Sequence, residues 1–414
     1  MVSIDKHNFN SKKVIVRVDF NVPLKKNNKI LDNTRIINSK ETIQKILNDG
    51  GSCILMSHLG RPKKKEDKFS FKTILPQIEQ ILKLKIIFIE NFNEEDSLEK
   101  IRKIKSGEVA LLENLRFHSQ EQAGDEGFAK KLASLANCFV NDAFGTSHRP
   151  HASTTVIAKY FPNNKFSGYL LDKEVNAISK VLRNGKKPVL AIIGGAKVSS
   201  KITVINSILK RADDVIIGGG MAFTFIKALG GQIGNSIFEK EFLDEAKWIL
   251  TNAKSKGAKI HLPIDVVCSL EFRNDSKRRV FEINKIPEKW QGLDSGPKTS
   301  KAFHDVIMRS KTILWNGPVG VFEMENFSKG TISLGESIVS STANGAFSLV
   351  GGGDSVAAAK KFNFSDSLSY VSTGGGAMLE SLEGKQLPGI KALSKKNQKN
   401  EKNNICVFFV FYLM

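Results

Sequence analysis

The sequence predicts an α/β protein built on parallel sheets, each covered by helices on both faces and each belonging to one half of the chain. Two observations predict it. Short apolar runs rich in Val and Ile recur at residues 13–18, 52–56, 108–112, 189–193, 214–217, 259–262, 312–314 and 346–350, each leading into a Gly-containing turn and a stretch of helical spacing. Continuous apolar strands that alternate with helices are the pattern of a parallel sheet buried on both sides. The chain also has 414 residues, more than one core of ordinary size holds, so two domains are expected. Ligands of such sheets collect beyond the carboxyl ends of the strands, and the polar motifs of this chain follow the apolar runs.

The domain boundary falls near residues 165–185. Within 170–182, Leu171, Val175, Ile178 and Leu182 recur at helical spacing and form one apolar stripe, and Asn184-Gly185 then stops the helix. No internal repeat or heptad pattern is present. The end of the chain is atypical. SKKNQKNEKNN is a polar run that reads as disordered, and ICVFFVFYLM falls far short of the roughly 20 residues that cross a bilayer, so no membrane span is expected.

A composition of 41% hydrophobic and 25% charged residues is ordinary for a globular protein, whereas a formal net charge of +20 is not. Such a charge raises polyanions, nucleic acid included, as partners; the alternative is a surface decorated with Lys. Lys is spread from Lys12 to Lys402 and aromatics seldom interrupt the basic runs, which is not the interleaved stripe that stacks bases, although KKNQKNEK could adhere weakly to polyanions. The four cysteines, Cys53, Cys138, Cys268 and Cys406, form no CxxC pair, and no His cluster has metal-ligand spacing. Structural zinc and a disulfide framework are thereby disfavoured, and a reducing cytoplasm fits. The first 20 residues lack the apolar core of a secretory signal.

The chemistry differs between the halves. The first is basic: RVDFNVPL supplies Arg17, Asp19 and Asn21, DNTRI Arg35, SHLGRP His58 and Arg61, LENLRFH Arg116, and NDAFGTSHRPHAST His148, Arg149 and His151. A guanidinium fork binds carboxylate and phosphate oxygens in pairs and stays charged, so this set suits a small, multiply anionic metabolite. Asp19 and Asn21 add acceptors for ligand hydroxyls, or Asp19 holds neighbouring arginines. The second half is glycine-rich. AIIGGAKVSSK follows a strand and is expected to open a helix, with Lys197 and Lys201 one turn apart; IIGGGMAFTF, LVGGGDSVAAA and STGGGAMLE repeat the strand–glycine–helix arrangement. Glycine lets backbone approach phosphates, and helix N-termini offer free N–H groups. No GxxxxGK[ST] or clear GxGxxG occurs, which argues against a Walker-type or dinucleotide site. Asp354 is placed to meet a phosphate-bound metal, and Glu323 could accept from ribose hydroxyls; either could instead be a first-turn acid or cap of a helix.

These motifs, with GPKT and LWNGPVGVFE, occur in the order seen in phosphoglycerate kinases, and the chain resembles that family from about residue 3 to about residue 393. The resemblance implies two Rossmann-like three-layer αβα domains with parallel sheets, facing each other across a cleft that closes by hinge bending. It implies a phosphoglycerate-binding domain at 1–168, an inter-domain helix at 169–184, a nucleotide-binding domain at 185–379 and a segment at 380–394 returning to the first domain, leaving 395–414 as the tail. The family reaction would be Mg²⁺-dependent: 1,3-bisphosphoglycerate + ADP = 3-phosphoglycerate + ATP. Carried over position by position, Asp19, Asn21, Arg35, His58, Arg61, Arg116 and Arg149 would bind 3-phosphoglycerate or 1,3-bisphosphoglycerate. Gly195, Lys197, Lys201, Gly219, Gly292, Asn316, Glu323, Gly351, Gly352, Gly353, Asp354, Ser355, Thr373, Gly374 and Gly375 would bind ADP or ATP, with Asp354 on Mg²⁺. Arg35 and Lys197 would be catalytic, neutralising the phosphoryl group during in-line transfer; the attacking oxygen is already ionised, so no general base is needed. A cytoplasmic monomer is implied. Departures from the family pattern are Ser200, Ser295 and Pro150, and none removes a residue given a charge role.

Overall fold

A computed structural model describes residues 1–394, so the atypical tail at 395–414 lies outside the described residues. The described chain divides into two compact units, one of Met1–Asp172 with the residues from Leu387 onward, the other of Lys173–Gln386. The division falls inside the helix Tyr169–Leu182.

The first unit is built on six strands: β1 (Lys13–Arg17), β2 (Ser52–Met56), β3 (Ile86–Ile89), β4 (Val109–Leu112), β5 (Cys138–Asn141) and β6 (Lys165–Ser167). They form one parallel sheet in the order β3-β4-β2-β1-β5-β6. All residues of β2, β4 and β5 are buried, because helices cover both faces and no side of these strands meets water. The connections leave β1 toward β2 on one side and reach β5 on the other, so the order reverses between β1 and β5. That reversal opens a crevice at the carboxyl ends of the strands, where side chains of the following turns converge. Leu387 and Leu393 are buried in the same unit, and the Gly389 amide donates to Ser147 O at 2.8 Å.

The second unit holds β7 (Val189–Ile193), β8 (Asp214–Ile217), β9 (Gln232–Ile233), β10 (Lys259–His261), β11 (Asp265–Ser269), β12 (Arg278–Glu282), β13 (Lys285–Ile286), β14 (Gln291–Ser295), β15 (Thr312–Asn316), β16 (Phe347–Val350) and β17 (Tyr370–Val371). Its main sheet is parallel, in the order β10-β8-β7-β15-β16-β17, and reverses between β7 and β15. Trp315, the largest fully buried side chain, sits in β15 at the centre of this core.

Sequence patterning finds most of the apolar strands, passes over the wholly apolar β3 (IIFI), and misses others for identifiable reasons. β5 (CFVN) and β6 (KFS) are short and part polar, and β12 (RRVFE) is mostly exposed. β11, β12 and β14 form a separate antiparallel sheet that the all-parallel expectation did not include. In the helix Tyr169–Leu182 the buried face runs through Leu171, Glu174, Ile178 and Val181, while Val175 and Leu182 are only half-buried. The expected apolar stripe is therefore rotated, and it carries a fully buried carboxylate.

Candidate active site

In the first unit the basic residues gather beyond the carboxyl ends of β1, β2, β4 and β5. Asp19, just past β1, is buried and pairs with Arg35, whose Nη1 lies 3.2 Å from Asp19 Oδ2 and donates to Asn21 O at 2.8 Å. Arg35 sits in the first turn of the helix Thr34–Asn48, so β1's turn and that helix hold one guanidinium. The Asn21 side chain accepts from the Gly60 amide at 2.8 Å, tying this turn to the SHLGRP turn after β2. Arg116 Nη1 donates to Gly60 O at 2.6 Å, and its buried Nε has no hydrogen-bond partner among the described residues. Arg61 and Arg149 are exposed, and neither side chain makes a hydrogen bond or ion pair among the described residues.

Electrostatics mark this cluster as poised for an anion. Burial first, then repulsion from Arg17, Arg149 and Arg61, brings the Arg116 guanidinium down to about 10. Burial and the same positive surroundings push His58 well below its ordinary value and His151 down to about 4, so both rings are neutral at pH 7. A bound dianion would relieve repulsion among these cations, which is the balance such crowding stores.

In the second unit, backbone occupies the equivalent place. β7 runs into Gly194–Lys197, and Gly195 N donates to Pro318 O at 3.1 Å. Gly219 follows β8 at φ +69°, where a Cβ would stand 2.7 Å from Gly195 O, so no other residue fits that packing. Asn316, fully buried at the end of β15, donates to Gly351 O at 2.7 Å and accepts from the Lys201 ammonium. Ser355 Oγ accepts from the Gly317 amide at 2.5 Å. These bonds clamp the loops after β7, β15 and β16 together. Gly352, at φ +94°, precedes the helix Gly353–Lys361, and Asp354 lies exposed in its first turn. After β17, Thr373 and Gly374 lead into the helix Gly375–Leu382.

Lys197 is exposed and Lys201 is half-buried, its ammonium pushed down by burial and supported by the charge of Asp354. Both precede the helix, which begins only at Ile202. The expected placement of Lys197 and Lys201 one helical turn apart is thus corrected: residues 197–201 form turns that keep the two ammoniums off the helix surface. Glu239 holds those turns, accepting from Ser199 N at 2.9 Å and Ser199 Oγ at 2.6 Å. Gly292 lies mid-strand in β14, its amide donating to Ser236 Oγ at 2.9 Å, away from any strand–glycine–helix loop. Glu323 is exposed, and its carbonyl accepts from Lys361 Nζ at 3.2 Å.

Two supports lie outside the residues that the sequence motifs single out. Glu174 accepts from Thr373 N at 2.7 Å, Thr373 Oγ1 at 2.8 Å and Ser372 Oγ at 2.8 Å, fixing the turn before Gly374. Its signal was available: a Glu three residues from Leu171 and four from Ile178 shares their helix face and must find partners there. Glu121, at 1% exposure, binds Ser153, which in turn binds the buried Arg17. Nothing in local spacing marked that pair.

Comparison with known proteins accords with this arrangement. The family profile described as "Phosphoglycerate kinase" matches residues 4–385. A phosphoglycerate kinase of Porphyromonas gingivalis is 49% identical over 416 residues, covering 95% of this chain and 100% of the relative. "Phosphoglycerate kinase 3, cytosolic" of Arabidopsis thaliana is 44% identical, over 93% of this chain and 96% of the relative. The solved structure of phosphoglycerate kinase from Coxiella burnetii superposes with a TM-score of 0.87 at 40% identity, covering 95% of this chain and 98% of that one. None of these matches supports the alternative reading as a polyanion- or nucleic-acid-binding protein. Two parallel-sheet units, a basic crevice on one, a glycine-lined crevice on the other and this extent of similarity lead to one conclusion: the chain belongs to the phosphoglycerate kinase family.

Proposed function

We propose that the two crevices divide the substrates of the family's reaction between them. That reaction is glycolytic phosphoryl transfer, and the chain is a phosphotransferase of this kind. Asp19, Asn21, Arg35, His58, Arg61, Arg116 and Arg149 bind 3-phosphoglycerate or 1,3-bisphosphoglycerate. The loops bearing Gly195, Lys197, Lys201, Gly219, Asn316, Gly351–Gly353 and Thr373–Gly375 bind ADP or ATP. The observation that carries the assignment is the charge imbalance of the first crevice: Asp19 is spent on Arg35, while Arg61 and Arg149 have no carboxylate of their own among the described residues. A multiply anionic metabolite supplies what is missing.

The nucleotide half accords with Mg²⁺. Among the described residues no three His, Cys, Asp or Glu side chains form a metal cage, which Mg²⁺ on a nucleotide does not require, since it takes one or two carboxylates and fills its shell with phosphates and water. Asp354, exposed beside Gly353 and hydrogen-bonded to nothing among the described residues, is the carboxylate that would hold it. The ion when bound supplies charge neutralisation of phosphate oxygens. The protein's own share is positional and electrostatic. Arg35, oriented by Asp19 and Asn21, and Lys197, presented on turns held by Glu239, neutralise charge on the phosphoryl oxygens in the transition state. The carboxylate of 3-phosphoglycerate attacks already ionised, so no residue is asked to remove a proton. We infer a monomer working in the cytoplasm, as the family resemblance implies; light scattering of the purified chain tests the first.

The test is an assay with 3-phosphoglycerate and MgATP coupled to NADH oxidation through glyceraldehyde-3-phosphate dehydrogenase, with Lys197→Ala as control. Turnover that needs both substrates and Mg²⁺, and collapses in the variant, is expected. A folded protein that binds both ligands without turnover would overturn the enzyme reading.

A further inference from the structure

Beneath the basic crevice of the first unit lies a chain of buried polar groups that the reaction does not itself require. Arg17, at 1% exposure, is a charged side chain without a carboxylate in direct contact among the described residues. Its Nε donates to Ser153 Oγ at 2.9 Å, its Nη1 donates to Val18 O, and its Nη2 lies 3.2 Å from His58 Nδ1. Ser153 in turn donates from Oγ to Glu121 Oε1 at 2.6 Å and from its amide to Glu121 Oε2 at 3.0 Å.

The direction of every bond in this chain is forced. A guanidinium only donates and a carboxylate only accepts. The Ser153 hydroxyl proton points at Glu121, which turns a lone pair toward Arg17 Nε. Arg17 Nη2 must donate to His58 Nδ1, and an imidazole that accepts at Nδ1 carries its proton on Nε2. His58 Nε2 makes no hydrogen bond among the described residues, so its N–H is left for a ligand. Glu121 also compensates Arg17 through one intervening hydroxyl, which makes a fully buried cation tolerable. Burial and the surrounding arginines keep the ring neutral, consistent with a donor that adds no further charge to a crowded site.

We propose that Glu121 and Ser153 are positioning residues which, through Arg17, lock His58 in its Nε2–H form as an uncharged hydrogen-bond donor to the phosphoglycerate. The proposal rests on the substrate assignment made above for the first unit. It extends that assignment to two residues outside the motif's charged set and gives each a direction of action.

The experiment combines ¹⁵N NMR of the histidine rings in the full-length chain with steady-state kinetics. His58→Gln identifies the His58 signals. In the unaltered protein His58 should show a protonated Nε2 and an unprotonated Nδ1. Ser153→Ala should let the ring sample both tautomers and raise KM for 3-phosphoglycerate about tenfold, the scale of one buried hydrogen bond, with KM for ATP unchanged. Ser153→Thr, which keeps the hydroxyl, should restore both readouts. Glu121→Gln, of nearly the same shape, serves as the second variant should Ser153→Ala fail to fold, and should shift the tautomer and KM in the same direction. An unchanged tautomer in a folded Ser153→Ala or Glu121→Gln protein would overturn the lock. A shifted tautomer in Ser153→Ala together with a normal KM for 3-phosphoglycerate in His58→Phe, which has no donor, would overturn the donor role instead, and would place the error in the substrate assignment. Equal loss for both substrates without rescue by Ser153→Thr would reduce the chain to a structural network and overturn the proposal.

Discussion

Past the carboxyl ends of its strands the first unit presents side chains and the second mostly backbone, although both rest on a parallel six-stranded sheet that reverses order at the centre. Beyond β1, β2, β4 and β5 stand Arg35, His58, Arg61, Arg116 and Arg149; beyond β7, β8, β16 and β17 stand Gly195, Gly219, Gly351–Gly353 and Gly374. The difference teaches what each ligand asks for. A small metabolite with anionic groups at both ends needs several separated positive charges, which only long side chains can aim. A nucleotide's phosphate chain can lie along amides, provided that nothing protrudes from the loops. One unit therefore stores repulsion among cations, the other stores close backbone approach.

Substitutions can break or sharpen that contrast. The largest effect is expected from Lys197→Ala, the exception to the second unit's reliance on backbone. Loss of a charge aimed at the transferring group should lower kcat about 100- to 1000-fold with little change in either KM. A change confined to KM for ATP would make Lys197 an ordinary binding residue. Arg61→Ala should come next: KM for 3-phosphoglycerate rises about tenfold or more, because a charge-assisted bond is lost, and KM for ATP stays put. Thermal stability should be unaltered, since the side chain is exposed and makes no bond among the described residues. An effect on ATP alone would break the division of substrates.

Gly352→Ala tests the other half. At φ +94°, with a Cβ only 2.6 Å from Asn316 Nδ2, alanine costs about 1–3 kcal/mol in that loop. KM for ATP should rise and denaturant stability should fall together, leaving KM for 3-phosphoglycerate unchanged. Any result confined to 3-phosphoglycerate would contradict the backbone-reading role of the second unit.

The last test bears on stability alone and concerns one buried acid in each unit. Burial raises Asp142 from an ordinary 3.8 to about 7, and Asp294 from 3.8 to about 8. Between pH 4 and those values the folded state holds a proton that the unfolded chain has released. The protonated form's contribution to stability is complete below pH 4 and declines as pH rises, reaching its floor above about 7 for Asp142 and about 8 for Asp294. The slope is about 1 kcal/mol per pH unit for each group. Asp142→Asn should flatten the dependence of urea stability on pH between 5 and 7, and Asp294→Asn should flatten it up to 8. An unchanged slope in either variant would mean that its aspartate is ionised when folded.

Much of this was legible in order along the chain. Apolar runs such as 52–56 and 189–193 declare buried strands, because a strand covered on both faces cannot alternate. Gly-containing turns after them mark the carboxyl ends of the sheet, where ligands of such folds collect. The candidate site residues were legible because arginine and glycine have chemical uses at such turns that few other residues share. Strands such as β5 and β6 stayed hidden because four and three residues of mixed polarity carry no period. The helix after the 197–201 turns was placed too early because glycine and lysine are compatible with either state, and only the bonds from Ser199 to Glu239 decide between them.

Local physics thus settles fold class, strand–turn–helix order and the chemical character of each half, since hydrophobic periodicity and turn chemistry act within a dozen residues. The partnerships were decided by the folded chain. Arg17 finds Ser153 at a separation of 136 residues, and Glu174 finds Thr373 at 199. A buried polar group must be satisfied by whatever the topology brings within 3 Å, and that choice is made only when the strands have taken their order.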